Sequence, residues 1–390
     1  MNRTPVVVYA KRTPIGKVGG MLKELEPEQL IAPLIEDAVT HCALSPGEID
    51  EVILGNAVGP GGNLARLALL TAQLPAEVPG VTVDRQCGSG LEAVIMACRM
   101  IQAGAGEIYL AGGVESTSRA PWRIEKPVQL YGKSPRFYGR ARFSPDEIGD
   151  PEMGEAAENV ADQYGISRKK QDEWALGSHQ KAIQAMNQGV FEPFIVPMKT
   201  REGWIKTDEC PRPDTSLEKL SRLRPIFREG GTVTAGNACP INDGAALTVI
   251  MSEAKAREHG LLPVLRFVDS VSVGIDPHIL GAGPIPAVRR LLQKTGITID
   301  ELARIEFNEA FASQVVACVE ELGLPPERVN PDGGAIALGH PYGASGAILV
   351  THLAHGMKRE GASFLRYGLA TLGIGGGLGL AVCFERVSDQ

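Results

Sequence analysis

The sequence predicts an α/β fold, because short buried strands alternate with helices along both ends of the chain. In the first part, apolar runs that fit buried strands lie at 6–10, 52–54, 81–83 and 108–111. An amphipathic segment at 30–39 and an almost wholly apolar one at 91–101 separate them and fit helices. Strands that alternate with helices predict a mostly parallel sheet covered on both faces.

The same alternation returns in the last part of the chain. Strands are expected at 247–250, 264–268, 305–307, 364–371 and 378–384, with helices at 286–292, 310–322 and 344–353. The two flanks therefore look like copies of one α/β unit. The length of the chain agrees with two such units, since 390 residues are too many for one ordinary hydrophobic core.

A long excursion separates these flanks. Residues 118–227 are richer in Pro, Arg, Lys and Glu than the rest, and the alternation stops there. One clear helix is expected, from Ser167 as N-cap to Gly189 as its stop. We interpret this part as a lid or ligand platform.

Composition excludes several classes of function. The chain is 44% hydrophobic and 22% charged, and its net charge of −7 argues against a nucleic-acid partner. No apolar stretch is long enough to span a membrane, and the first apolar run is too short for a signal peptide. Seven scattered cysteines without a Cys-x-x-Cys spacing predict a reducing, cytoplasmic location and neither a disulfide framework nor a metal site.

Cys87 is the main candidate nucleophile. It follows the strand at 81–83 inside the glycine-flanked turn Cys87-Gly88-Ser89-Gly90, and an apolar helix comes next. Free backbone N–H groups at a helix N-terminus would stabilise a thiolate, and a thiolate can take an acyl group. The alternative is a small buried cysteine without a chemical role. The flanking glycines, which let another molecule approach closely, favour the nucleophile.

Two further segments carry candidate polar groups. His340 lies between Gly339 and Pro341 before a small-residue helix, which makes it a better general-base candidate than the scattered histidines. Asn308 follows the strand at 305–307, where it is interpreted both as a helix N-cap and as an amide that orients a water or an oxyanion.

Glycine-rich segments admit two interpretations each. The cluster 373–379 could supply N–H groups to an oxyanion hole, or be a simple turn between two strands. Residues 88–93 also fit a G-x-G-x-x-A dinucleotide pattern, with Glu115 near the end of the next strand. That pattern is weak in a chain with 46 glycines and leaves Cys87 unexplained.

Taken together, these motifs resemble the thiolase family. The segments Cys87-Gly88-Ser89, Asn308-Glu309-Ala310-Phe311, Gly339-His340-Pro341 and the glycine cluster occur in the order and approximate spacing of the thiolases. Further similar segments lie at 113–116, 232–237 and 283–287, so the resemblance covers essentially the whole chain.

The resemblance implies a thiolase-like five-layer α/β/α/β/α fold with two related halves and an inserted loop domain. The expected domains are the first part of the N-terminal half at 1–117, a CoA-binding loop domain at 118–230, the completion of the N-terminal half at 231–262 and the C-terminal half at 263–390. It also implies a homodimer or homotetramer, acyl-CoA and CoA as partners, no cofactor besides CoA as substrate, and a place in fatty acid metabolism.

For the site, the resemblance implies ping-pong acyl transfer between 3-oxoacyl-CoA and CoA. Cys87 would carry the acyl group and His340 would activate it, while Asn308, through a water, and His340 would hold the thioester oxygen. The N–H groups of Cys87 and Gly375 would hold the acyl-enzyme oxygen. Substrate-binding positions would be Arg212 and Phe227 at the CoA nucleotide, Met153 and Leu280 at the pantetheine and acyl pocket, and Cys239 and Ser89.

The sequence departs from the family pattern at Gly373. Thiolases usually carry there the cysteine that moves the proton on the substrate's α-carbon, and neither Cys383 nor Cys318 is an obvious replacement. A second departure is Cys239, where a serine is usual. Two alternatives therefore stay open. One is a condensing synthase with Glu309 as candidate acid/base, and the other is an acyl-CoA-binding protein with weak turnover.

Overall fold

A computed structural model describes residues 3–129, 131, 134–359 and 365–387. Its strands are β1 (Pro5–Arg12), β2 (Gly16–Lys17), β3 (Glu51–Gly55), β4 (Gly80–Val83), β5 (Ile108–Ser116), β6 (Arg123–Glu125), β7 (Arg136–Tyr138), β8 (Met198–Thr200), β9 (Gly203–Ile205), β10 (Asn242–Ser252), β11 (Leu265–Gly274), β12 (Leu302–Phe307), β13 (Tyr367–Ile374) and β14 (Leu378–Arg386). Its helices are α1 (Pro27–His41), α2 (Leu64–Thr71), α3 (Ser89–Ala103), α4 (Met153–Tyr164), α5 (Arg168–Asn187), α6 (Leu217–Ser221), α7 (Glu253–Glu258), α8 (Pro284–Thr295), α9 (Ala312–Leu322), α10 (Ala335–Leu338) and α11 (Tyr342–Arg359).

One large mixed sheet runs through both halves of the chain. Its strands lie in the order β12-β13-β14-β11-β1-β10-β5-β3-β4, and β2 pairs with β10. The parallel pairs are β3 with β4, β3 with β5, and β12 with β13, while the other pairs are antiparallel. The expectation of a mostly parallel sheet is therefore wrong. Parallel pairing needs a crossover, whereas a tight turn joins β13 to β14 and β10 returns from the long excursion in the opposite direction.

Helices and sheet form five layers. Helices α1 and α2 pack on the outer face of the N-terminal strands, around residues such as Leu34 and Leu69. Helices α3 and α11 lie between the two halves of the sheet, where Val94 and Leu353 share a core with strand residues of both halves. Helices α8 and α9 cover the outer face of the C-terminal strands. The order is helix, sheet, helix, sheet, helix, which confirms the expected layers.

The excursion between β5 and β10 contains α4, α5, α6 and the two small ribbons β6–β7 and β8–β9. Helix α5 begins after Ser167, whose hydroxyl accepts a hydrogen bond from Lys170 N, and ends before Gly189 at φ +68°. The helix prediction is confirmed here because both end signals act as expected. The finer domain boundaries stay a prediction.

Most other predicted elements are present with longer bounds. The strand expected at 364–371 is β13, although its first predicted residue, Phe364, lies outside the described residues. The helix expected at 310–322 is α9, which begins at Ala312. In the described part of the chain, no helix is long and apolar enough to cross a membrane.

Candidate active site

Cys87 lies in a tight turn between β4 and α3. Gln86, just before it, has the positive φ of +48° that side chains rarely adopt. The Ser89 hydroxyl closes the turn, since it donates to Gln86 O at 2.6 Å and accepts from Arg85 N at 2.8 Å. The strand–turn–helix arrangement is as predicted. The proposed contact of Ser89 with substrate stays a prediction, and its hydroxyl is engaged within the turn.

Burial disfavours the thiolate form of Cys87. Burial raises its pKa to about 12, outweighing the backbone N–H groups of Gly375 and Cys87, which hydrogen-bond the thiolate and lower the pKa. The carboxylates of Glu115 and Asp84 raise the pKa further. The expected stabilisation of a thiolate by backbone N–H groups is present, but burial opposes it more strongly, and the nucleophilic role of Cys87 stays a prediction. Helix α3 begins two residues after Cys87, and desolvation is the larger effect.

The crossing of two helices brings the turns that carry Cys87 and His340 close together. Helix α3 follows Cys87 and α11 follows His340, and their first turns pack backbone against backbone. A methyl group on Gly90 would lie 2.6 Å from Gly343 O, and one on Gly346 would overlap the backbone of Leu91. Glycine is required at this crossing because no side chain fits between the helices.

His340 has a defined tautomer. Its Nδ1 lies 2.5 Å from Ser345 Oγ, and that hydroxyl donates to Pro341 O at 2.9 Å. The serine oxygen must then accept from Nδ1–H, which leaves Nε2 with a free lone pair. Burial lowers the His340 pKa to about 3, so the ring is neutral. The backbone N–H of His340 donates to Asn242 Oδ1 at 2.8 Å, which fixes the turn.

Asn308 lies next to Nε2 of His340. Its Nδ2 is 3.4 Å from His340 Nε2, and the residue is 1% exposed. The N-cap interpretation is wrong, because Phe311 is the residue before α9 and no side chain caps that helix. The interpretation as an amide aimed into the site agrees with its position.

Glu115 fixes the backbone around the site, a role that neither the dinucleotide pattern nor the segment at 113–116 predicts. Its carboxylate accepts hydrogen bonds from the backbone N–H groups of Ala57, Val58 and Gly343 and from Asn56 Nδ2, at 2.8–3.2 Å. Burial raises its pKa to about 7, although those backbone bonds act in the opposite direction. Glu115 therefore ties the start of α11 to the loop after β3.

Glu309 is a structural carboxylate. It accepts hydrogen bonds from Trp174 Nε1 at 3.0 Å and Ser178 Oγ at 2.7 Å. Asn330 Nδ2 and the Ile336 N–H also donate to it. With its oxygens fully occupied, Glu309 is poorly suited to the acid/base role of the synthase alternative.

The glycine-rich end of β13 forms one wall of the site. The Gly375 N–H points at the Cys87 sulfur, and Phe143 from the excursion covers Gly375, with a ring carbon 2.8 Å from where its Cβ would be. At Gly373, a Cβ would lie 2.8 Å from Gln314 Nε2 and 3.0 Å from Leu280 O. Phe143 and Gln314 were not singled out from the sequence, because neither belongs to a recognisable motif.

The predicted substrate-binding residues lie on elements around this wall. Cys239 donates its N–H to Ala310 O at 3.0 Å, and burial, followed by the charge of Cys87, raises its thiol pKa. Leu280 is buried beside Gly373, and half-buried Met153 begins α4.

The nucleotide-binding candidates are more exposed. Phe227 is 41% exposed, lies against Gly154 and meets Phe311 edge-on at a centroid distance of 6.1 Å. Arg212 is exposed, and its backbone N–H donates to His179 Nδ1 at 3.1 Å.

A cavity of about 510 Å³ lies elsewhere, between α5 and α9. Glu309 is at its inner end, and Trp174, Lys181 and Glu320 line it, whereas Cys87 and His340 do not. Within the described ranges, no cluster of three or more His, Cys, Asp or Glu side chains has the geometry of a metal site.

Comparisons with known proteins agree with this architecture. Residues 5–254 match the family described as "Thiolase, N-terminal domain", and residues 261–386 match "Thiolase, C-terminal domain". A Staphylococcus epidermidis protein, provisionally named acetyl-CoA C-acetyltransferase VraB, is 51% identical over 98% of this chain and 99% of its own. Its Staphylococcus aureus namesake is 50% identical over 99% of this chain and all of its own.

Similarity extends to three dimensions. The crystal structure of the Bacillus anthracis acetyl-CoA acetyltransferase superimposes with a TM-score of 0.93 at 41% identity, covering 99% of this chain and 100% of that one. The chain therefore belongs to the thiolase family of acyltransferases.

Proposed function

We propose that the chain is an acyl-CoA C-acyltransferase that transfers an acyl group between 3-oxoacyl-CoA or acetyl-CoA and CoA through a thioester on Cys87. One observation carries this proposal. The close crossing of α3 and α11 at Gly90, Gly343 and Gly346 sets a turn with a cysteine beside a turn with a tautomerically defined histidine. The names given to the relatives, acetyl-CoA C-acetyltransferase and acetyl-CoA acetyltransferase, support the same substrate class.

His340 acts as general base in this mechanism. Because Nδ1–H is held by Ser345, Nε2 takes the proton of the Cys87 thiol as its sulfur attacks the acyl carbonyl. Burial disfavours the charged form of both groups, so the proton moves as the sulfur attacks and no thiolate has to form beforehand.

Backbone N–H groups stabilise the resulting oxyanion. The N–H groups of Gly375 and Cys87 already converge on the Cys87 sulfur, so a carbonyl oxygen on that sulfur would lie within their reach. Asn308, through a water, and His340 hold the thioester oxygen of the second substrate, which agrees with the 3.4 Å between Asn308 Nδ2 and His340 Nε2. CoA is then a substrate, with Arg212 and Phe227 at its nucleotide and Met153, Leu280 and Cys239 along its arm.

Acylation of Cys87 tests the proposal directly. After incubation with acetyl-CoA, intact-mass analysis should find one acetyl group on the wild type and none on Cys87→Ser. Cys42→Ser is the matched control, because Cys42 is a buried thiol that lies in the outer core around α1. Equal labelling of wild type and Cys87→Ser would contradict the assignment. Acetoacetyl-CoA plus CoA should then yield acetyl-CoA.

A cytoplasmic location, a homodimeric or homotetrameric state and a role in fatty acid metabolism stay predictions. Sedimentation of the purified protein would measure the number of subunits.

A further inference from the structure

Gln314 is a buried polar side chain without a partner. It lies in the first turn of α9 and is 2% exposed. Its Cγ would be 3.1 Å from a Cβ on Gly281, and its Nε2 would be 2.8 Å from a Cβ on Gly373. Across the described ranges, its amide makes no hydrogen bond, and its polar atoms are not fully enclosed, because Gln171 Oε1 is the one fully enclosed side-chain atom there without a partner. An amide on an almost wholly buried side chain that finds no protein partner is available to bind a ligand or a water.

The surroundings of this amide are polar on the side of Gly373. The carbonyl oxygens of Leu280 and Gly281 lie 3.0 and 3.2 Å from the same Cβ position. Each accepts one other hydrogen bond, from Gly283 N–H and the Cys318 thiol respectively, and a carbonyl oxygen has a second lone pair. One amide and two carbonyls provide the two to four partners that a buried water requires.

The proposed reaction needs a proton carrier close to Cys87, and Gly373 lies two residues before Gly375, whose N–H faces the Cys87 sulfur. When a carbon–carbon bond to the α-carbon breaks or forms, that carbon must gain or lose a proton. Gly373 has no side chain, and Glu309 is occupied by four donors. The buried thiol of Cys383 lies in the apolar core under α8 and α9, and the buried thiol of Cys318 already donates to Gly281 O. Gln314 is neutral at every pH, so it can orient a water but cannot itself exchange the proton.

We propose that Gln314 is a positioning residue that holds, with the carbonyls of Leu280 and Gly281, the water that exchanges a proton with the substrate's α-carbon. This role rests on the proposed acyltransferase function. In thiolysis the bond between the α- and β-carbons breaks, the acyl carbon stays on the Cys87 sulfur, and the electron pair goes to the α-carbon. That carbon takes a proton from the water. The hydroxide regains one from protonated His340, which had received it from Cys87.

The test separates this step from acylation. In deuterated water, incorporation of deuterium into the methyl group of acetyl-CoA reports proton exchange, while intact mass reports acyl-Cys87 in the same sample. Gln314→Leu should lower the ratio of exchange to acylation by about tenfold or more. Gln293→Leu is the matched control, because Gln293 is exposed on α8. A wild-type ratio in Gln314→Leu would overturn the proposal.

A second variant keeps the test decisive if Gln314→Leu does not fold. Gln314→Glu has the same shape but titrates, so its exchange rate should rise with pH as the carboxyl ionises, on top of the wild-type profile. A purely structural role would not give this change, and an unchanged pH profile would overturn the proposal. Failure of the proposed function looks different, because the wild type itself would then form no acyl-Cys87.

Discussion

The hydroxyl of Ser345 lies 2.5 Å from His340 Nδ1 and donates its own proton to Pro341 O. Because that donation leaves only lone pairs facing the ring, the contact selects the tautomer with a basic Nε2. The tautomer of His340, the proposed general base, is thus set by Ser345, which lies five positions further along the chain in the first turn of α11.

Removal of this contact should impair catalysis without impairing binding. In Ser345→Ala both tautomers become accessible and the ring can rotate, so the rate of Cys87 acylation at saturating acetyl-CoA should fall by about 10- to 100-fold. The KM for acetyl-CoA should change little. Ser313→Ala is the matched control, because Ser313 is also a buried serine that donates to a backbone carbonyl. Equal losses in both variants would mean that the Ser345 contact is only structural.

Removal of the Arg212 side chain should weaken the binding of CoA and leave the chemical step unchanged. It is an exposed cation on the excursion of an otherwise acidic chain, so Arg212→Ala should raise the KM for CoA and leave acylation at saturation little changed. Arg201→Ala, in the same excursion and 88% exposed, should behave as the wild type. A lower kcat for Arg212→Ala with an unchanged KM would argue against a place at the CoA nucleotide.

The raised pKa of Glu115 predicts that the free energy of unfolding depends on pH. Its pKa is about 7 in the folded protein and 4.5 ordinarily, so between these values the folded state binds the proton more tightly. The stabilisation from this proton is fully present below the ordinary pKa of 4.5, and it is lost as the pH rises through the folded-state pKa of about 7. Glu115→Gln cannot titrate. The free energy of unfolding of wild type relative to this variant should therefore fall, on the order of 2–3 kcal/mol, as the pH rises across this range.

Urea denaturation at a series of pH values measures this difference. Glu77→Gln, at an exposed position, is the control and should give a difference that does not change with pH. If the difference for Glu115→Gln were likewise constant, the carboxyl of Glu115 would not be the titrating group.

Local sequence patterns predicted the parts of the site that depend on neighbouring residues. The turn around Cys87, the glycine wall at 373–377 and the histidine turn follow from glycine, proline and the alternation of strand and helix. Patterns of this kind report which residues begin or end an element. They therefore located Cys87, His340 and Asn308 correctly at the ends of strands and helices.

Contacts between distant residues could not be predicted in this way. The hydrogen bond from Gly343 N–H to Glu115 spans 228 positions, and Gln314 meets Gly373 across two different elements. The raised pKa of Cys87 has the same origin, because burial depends on what packs around the turn and not on the helix that follows it. Strand direction likewise depends on where long connections return, which made the expected parallel sheet wrong.

The last prediction concerns a side chain at position 373, where the surrounding atoms limit the space available. A Cβ at this position would lie 2.8 Å from Gln314 Nε2, at the flexible end of that side chain, and 3.0 Å from the backbone oxygen of Leu280. Gly373→Cys should therefore be tolerated if the Gln314 amide moves aside. The new thiol would then supply the acid/base group directly, and thiolysis of acetoacetyl-CoA should accelerate by about tenfold or more relative to acylation of Cys87.

Gly373→Ala separates chemistry from crowding. It adds the same Cβ without a thiol, so it should displace Gln314 and leave the thiolysis rate at or below that of the wild type. If the new thiol acts as acid and base, the thiolysis rates of Gly373→Cys and Gly373→Ala should differ, whereas their rates of Cys87 acylation should be the same. If Gly373→Cys and Gly373→Ala slowed thiolysis equally, with Cys87 acylation intact, the space beside Gly373 would be needed for the substrate or for water. The absence of a side chain at Gly373 would then be required for activity, and Gly373 would not mark the loss of a catalytic group.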